Sequence, residues 1–64
     1  MSQWEKTQPG TLVLLGTAFR IVYEPHENGN FHLYQDESSC FRHATLAGAQ
    51  YDAQRKNAEL EAIL

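Results

Sequence analysis

The residues whose types bear most directly on chemistry are His26, His32, Cys40 and His43. Cysteine and histidine are the usual zinc ligands, and Cys40-x-x-His43 has a permissible ligand spacing. A structural zinc site pairs tight spacing at both ends. Here His26 falls in a loop, while His32 and Cys40 fall on strand segments. No metal is therefore expected: the histidines read as solvated or capping groups, and Cys40 as a small apolar residue. Nucleophilic catalysis by Cys40 and His43 lacks a third group to orient the base and a glycine-rich loop for an oxyanion. Asp36 and Glu37 are adjacent carboxylates, and adjacent residues in a strand or turn diverge. The glycines are scattered, with no phosphate loop. A non-catalytic chain with no cofactor is expected.

Two further sets bear on recognition. The aromatic residues are Trp4, Phe19, Tyr23, Phe31, Tyr34, Phe41 and Tyr51. Aromatics on a sheet can stack bases, but Phe19, Tyr23 and Phe31 share a face with Ile21 and Leu33, the pattern of a core. Tyr34 and Tyr51 remain as contact anchors. Glu24, Glu27, Asp36 and Glu37 cluster at a loop and a turn at opposite ends of one strand, and Asp52 and Glu59 are expected on the outer face of a helix.

The elements that must position these groups follow from alternation and turn chemistry. Phe19, Ile21 and Tyr23 alternate with Arg20, Val22 and Glu24, and Phe31, Leu33 and Gln35 alternate with His32 and Tyr34. Period-two alternation marks strands with one buried face. Asn28-Gly29 between them tolerates the positive φ of a hairpin turn, and Pro25 ends the first run. Thr11 to Leu15 reads as an earlier strand with both faces covered, joined to Ala18 through a two-residue turn at Gly16-Thr17. Ser39 to His43 reads either as a short edge strand or as a loop packing Phe41 into the core. Thr45 has the chemistry of a helix N-cap. Leu46, Ala49, Ala53, Leu60 and Leu64 then fall along one face, opposite Gly48, Asp52, Arg55 and Glu59.

The expected architecture is therefore α+β: a three- to four-stranded antiparallel meander over 11–43, then one helix over 45–64 packed on the sheet. Residues 1–10 are expected as an arm, with Trp4 folded back on the core edge and Pro9-Gly10 at the entry to the fold. A helix of about 28 Å is longer than a six-residue strand of about 20 Å. Its last turns should overhang the sheet, leaving Leu60, Ile63 and Leu64 to fray or to pair with a second copy, so a monomer or weak homodimer is expected.

Size and composition restrict the function classes. The 64 residues, 42% of them hydrophobic, make one small domain, with little room for an enclosed active site. No run reaches the roughly 18 apolar residues of a membrane span, and the start lacks a stretch of signal-peptide length. With the single Cys40 there is no internal disulfide, and a cytoplasmic location fits best. A net charge of −3, from eight acidic and five basic residues, argues against a freestanding nucleic-acid binder. It suits solubility or a basic partner.

A short meander followed by a helix that opens Thr45-Leu46-x-x-Ala49 resembles many tiny proteins of phages and mobile elements. The resemblance covers Thr11 to about Asn57, and its specific words are Trp4, Gly10, Phe31-x-Leu33 and Thr45-Leu46-x-x-Ala49. Anti-CRISPR inhibitors are among such proteins. They bind bacterial surveillance complexes and often present acid as a mimic of DNA. The resemblance implies a phage-type inhibitor that blocks DNA binding by a Cas complex subunit with a basic groove. Its partner-binding residues would be Glu24, Glu27, Tyr34, Asp36, Glu37, Tyr51 and Asp52. The same βββα architecture occurs in small DNA-binding domains whose sheet is basic, whereas residues 11–43 hold only Arg20 and Arg42. A nucleic-acid or regulatory module is the second expectation, and a zinc-stabilised mini-domain the third.

Overall fold

The computed structural model describes residues 3–63. Five antiparallel strands form one sheet in sequence order: β1 (Trp4–Gln8), β2 (Thr11–Leu14), β3 (Phe19–Tyr23), β4 (Phe31–Gln35) and β5 (Ser38–His43). A single helix, α1 (Leu46–Ile63), follows and packs across β3, β4 and β5. The expected α+β meander with a C-terminal helix is present, with the edge strand at Ser38–His43 formed.

The expected arm carries a fifth strand. Gly10 adopts φ 80°, so Pro9-Gly10 folds the chain back and sets Gln8 opposite Thr11 and Trp4 opposite Leu14. Trp4 does pack against the core, but from within a strand. The turn after β2 is wider than the two residues expected, because Leu15 and Ala18 leave the ladder. Thr17 Oγ1 donates to the Leu14 carbonyl (2.8 Å) and accepts from the Phe19 amide (3.1 Å), which lets one side chain close the loop.

Register decides which residues share a face. Ile21 lies opposite both Leu12 and Leu33, and Phe19 opposite Gln35. The core beneath the helix is Leu14, Phe19, Ile21, Leu33, Ala49 and Ala53. Leu33, Ala49 and Ala53 are fully buried: the two alanines let the helix approach the sheet closely. Tyr23 shares this face, as expected, but is 51% exposed because it lies beyond the helix's cover.

The opposite face of the sheet carries no helix, so β2 is covered on one side rather than both. Thr11, Val22, His32 and Arg42 form one row across it, and Val13, Arg20, Tyr34 and Ser39 the next. A bulge between His32 and Tyr34 sets two residues of β5, Cys40 and Phe41, against Leu33.

The helix begins as its sequence suggests, the Gly48 amide donating to Thr45 Oγ1 at 3.1 Å. Every described residue from Ala58 onward is exposed, so the last turns overhang the sheet. Leu60 and Ile63 stand in solvent; Leu64 lies outside the described residues. No helix among those residues is long and apolar enough to cross a membrane.

Candidate functional site

The chemistry concentrates on the uncovered sheet face, around Glu24 at the end of β3. Strand alternation turns Arg20, Val22 and Glu24 to this side, and β4 brings His32 and Tyr34 beside them. Glu24 Oε1 accepts from the Tyr34 hydroxyl and lies against His32 Nδ1, both at 2.9 Å. Arg42 Nη2 stands 3.6 Å from the same oxygen, and its Nη1 donates to the carbonyls of Glu24 (2.9 Å) and Gly29 (3.2 Å). The Tyr34 ring stacks with the His32 ring (4.2 Å between centroids), and the Arg20 guanidinium lies over the Tyr34 ring at 4.6 Å. Arg20 in turn donates to the Asp36 carbonyl.

This network fixes the charge state of its centre. Hydrogen bonds from Tyr34 and then His32, with the Arg42 cation nearby, hold the Glu24 carboxyl below its ordinary range. Partial burial raises the Tyr34 phenol, and its bond to Glu24 adds to that rise. An ionised Glu24 requires a proton on His32 Nδ1. His32 Nε2 lies 2.5 Å from Ser39 Oγ, and in the tautomer with its proton on Nδ1 it is the acceptor of that bond. Carboxylate, imidazole and hydroxyl are thus connected in sequence on one open surface.

A second constellation lies on the other side, where β5 meets the helix. His43 Nε2 lies 3.0 Å from Asp52 Oδ2, while Arg55 (3.4 Å) and Lys56 (3.9 Å) approach Asp52 Oδ1. Burial opposes ionisation of Asp52, yet hydrogen bonds from His43 and Arg55, with Lys56 nearby, hold its carboxyl below the usual value. Above this cluster Phe41 and Tyr51, 64% and 70% exposed, line a cleft of about 470 Å³ with His43, Arg55 and Lys56.

The partner-binding residues expected from the sequence separate into three groups. Glu27, Asp36 and Glu37 are exposed on connections at the two ends of β4. Tyr51 is exposed beside Phe41. Glu24 and Tyr34 are bound into the sheet-face network. Asp52 is a correction: it is not on the outer helix face but buried against β5. One helical turn sets it beside Ala49 and Ala53, and His43 at the end of β5 supplies the polar partner that makes this burial tolerable.

His26, His32, Cys40 and His43 are dispersed over a loop, the open face and the helix side. No group of three or more His, Cys, Asp or Glu among the described residues is arranged to hold a metal. Sequence reasoning gave no role to Ser39 or Arg42, and the alternative that packed Phe41 into the core is corrected: Phe41 is on a strand and exposed. The alternation already puts Glu24, His32 and Tyr34 on one face, but Ser39 joins them only through the bulge opposite Leu33. Compared with protein-family models, curated proteins and solved structures, the chain matches none.

Proposed function

We propose that this chain is a small protein-binding module that inhibits or regulates the partner it occupies. The observation that carries this reading is the Phe41–Tyr51 cleft beside β5. Large exposed aromatics grouped in a concave site mark contact surfaces. β5 is also the last strand of the sheet, and an unpaired strand edge is a template for an added strand. Arg55 and Lys56 rim the cleft, and Asp52 beneath them is already neutralised by its partners. The occupant that fits is an extended acidic segment of another protein, paired along β5 with apolar side chains between Phe41 and Tyr51.

A fluorescent peptide of alternating valine and glutamate is the probe, with its valine–lysine counterpart as control. Binding of the acidic peptide should weaken at least tenfold in Phe41→Ala/Tyr51→Ala, and the amides of Ser38–His43 should gain hydrogen-exchange protection in the complex. Equal binding of both peptides, or none, overturns the reading.

The resemblance adds a concrete target, a Cas complex whose DNA binding is blocked. In that form the acid standing in for phosphate rests on Glu27, Asp36 and Glu37, which are free, and not on Glu24 or Asp52, which are engaged.

A further inference from the structure

We propose that the open sheet face is a second, chemical site: Ser39 is an activated nucleophile that accepts acyl groups from small esters. This goes beyond the binding role: its reacting groups lie on the open face of the sheet, although Phe41 borders both the cleft and the hollow beside Ser39.

The geometry supplies each part that the chemistry requires. Ser39 is exposed, and its Oγ lies 2.5 Å from His32 Nε2, so the hydroxyl donates to that nitrogen in the tautomer protonated at Nδ1. The base is held in place from three sides, by Glu24 at Nδ1, by the Tyr34 ring stacked upon it and by Ser39. The His32 side chain is only 12% exposed, so solvent competes little for its ring nitrogens. Glu24 is a positioning residue that selects the tautomer, and Tyr34 holds it through the same oxygen. A shallow hollow of about 290 Å³, lined by Asn28, His32, Ser39, Phe41 and Arg42, opens beside the hydroxyl. Its size suits a short acyl group. The carbonyls of Glu24 and Gly29 anchor the guanidinium of Arg42, which lines the same hollow.

In the step itself, Ser39 Oγ attacks the ester carbonyl carbon and its proton passes to His32 Nε2. Glu24 stays ionised and stabilises the imidazolium. The carbonyl electron pair moves to oxygen, where the Arg42 charge favours it. Collapse of this adduct expels the alkoxide or phenolate. That leaving group takes the proton from Nε2, leaving an acyl-Ser39 ester and neutral His32. Water then gives one proton to Nε2 as its oxygen attacks the acyl carbon. This second adduct collapses by breaking the bond to Ser39 Oγ, which takes the proton back from Nε2, so that the carboxylic acid leaves and Ser39 and neutral His32 are restored.

The test uses the full chain with p-nitrophenyl acetate and, separately, an alkyl fluorophosphonate, followed by peptide mass spectrometry. Label should appear on Ser39 and not on its neighbour Ser38, and it should disappear when the chain is unfolded in urea. His32→Ala should slow labelling by about 100-fold or more, with part of the rate restored by added imidazole. Glu24→Gln should slow labelling without changing the saturating ester concentration. No label on folded Ser39, equal label on Ser38, or a rate unchanged in His32→Ala overturns the proposal.

Discussion

His43 Nε2 lies 3.0 Å from Asp52 Oδ2, so the last residue of the edge strand is tied to the second turn of the helix. Asp52 carries its charge in a buried place and is satisfied there by His43, Arg55 and Lys56. Hydrogen bonds to a charged group contribute about 1.5–3 kcal/mol. Asp52→Asn should therefore lower the melting temperature at neutral pH by about 6 °C or more. Because the folded-state value is depressed, the stabilisation is complete well above the ordinary 3.8 and is lost as pH falls below it. The gap between wild type and variant, followed by circular dichroism, should shrink as pH drops below that value. A gap that persists in strong acid would mean that the carboxylate charge is not what ties strand to helix.

Leu33 sits at the centre of the sheet with no exposed surface, between Ile21 and the bulged residues of β5. Leu33→Ala removes a fully buried side chain and should cost about 2–5 kcal/mol. A domain of this size has little more stability than that to lose, so most molecules should unfold. A cooperative urea transition with an unchanged midpoint would contradict this burial.

Gly48 shows how a poor helix residue can be locally required. Alanine in a helix interior is favoured over glycine by about 1 kcal/mol. A Cβ at position 48, however, would meet Thr45 Oγ1 at 3.1 Å, the atom that caps the helix. Gly48→Ala should therefore gain less than that amount in the wild-type chain, and the full amount in a Thr45→Ala background. Thr45→Ala alone should cost about 1 kcal/mol as a lost cap. Additive effects in the double variant would show that cap and glycine are not coupled.

These cases also show what was legible beforehand. Phe19, Ile21 and Leu33 were readable as core because period-two alternation is local. The connection between their strands is not the tight Asn28-Gly29 turn expected: β3 ends at Tyr23, β4 begins at Phe31, and of Asn28 and Gly29 only Gly29 takes a positive φ. Gly29, at φ 131°, leaves no room for a side chain: a Cβ there would come within 2.9 Å of the His43 backbone. β1 was not legible, because Trp4–Gln8 holds one apolar residue and becomes a strand only by pairing with β2 across Pro9-Gly10. Asp52 was misplaced because its burial is caused by His43, nine positions away. Ser39 was missed because a bulge shifts the β5 register, and nothing in Ser38–His43 announces one. Of the recognition residues, Tyr51 and the loop carboxylates could be read from sequence. Phe41 could not, because its exposure depends on which way the bulged backbone turns.

The exposed end of the helix bears on assembly. Leu60 and Ile63 project from the turns that overhang the sheet, and Ile63 is 81% exposed. An apolar tip favours self-association. Truncation after Glu59 should leave the fold intact, since all described residues beyond it are exposed, and should convert any dimer found by sedimentation to monomer. A wild-type chain that stays monomeric at high concentration removes this role for the tip.

The last prediction separates recognition by charge from recognition by shape. A DNA mimic must set carboxylates where phosphates stand, and its association must weaken as salt rises. Of the carboxylates expected to bind a partner, Glu27, Asp36 and Glu37 are exposed and stand outside the ion pairs of the described residues. Position 36 needs care, because Asp36 adopts φ 55°, a left-handed conformation that aspartate and asparagine tolerate better than lysine does. Charge is therefore best removed there as Asp36→Asn, combined with Glu27→Lys and Glu37→Lys on exposed connections, where such charges contribute little stability. In competition with the DNA ligand of a purified Cas complex, that triple variant should lose inhibition if the acid imitates phosphate, most clearly at low salt. The Phe41→Ala/Tyr51→Ala variant should lose it if the cleft is the contact. Inhibition that ignores the carboxylates and the salt but disappears with the two aromatics would exclude mimicry. The partner would then be held through the cleft beside β5, where apolar contact and strand pairing act together.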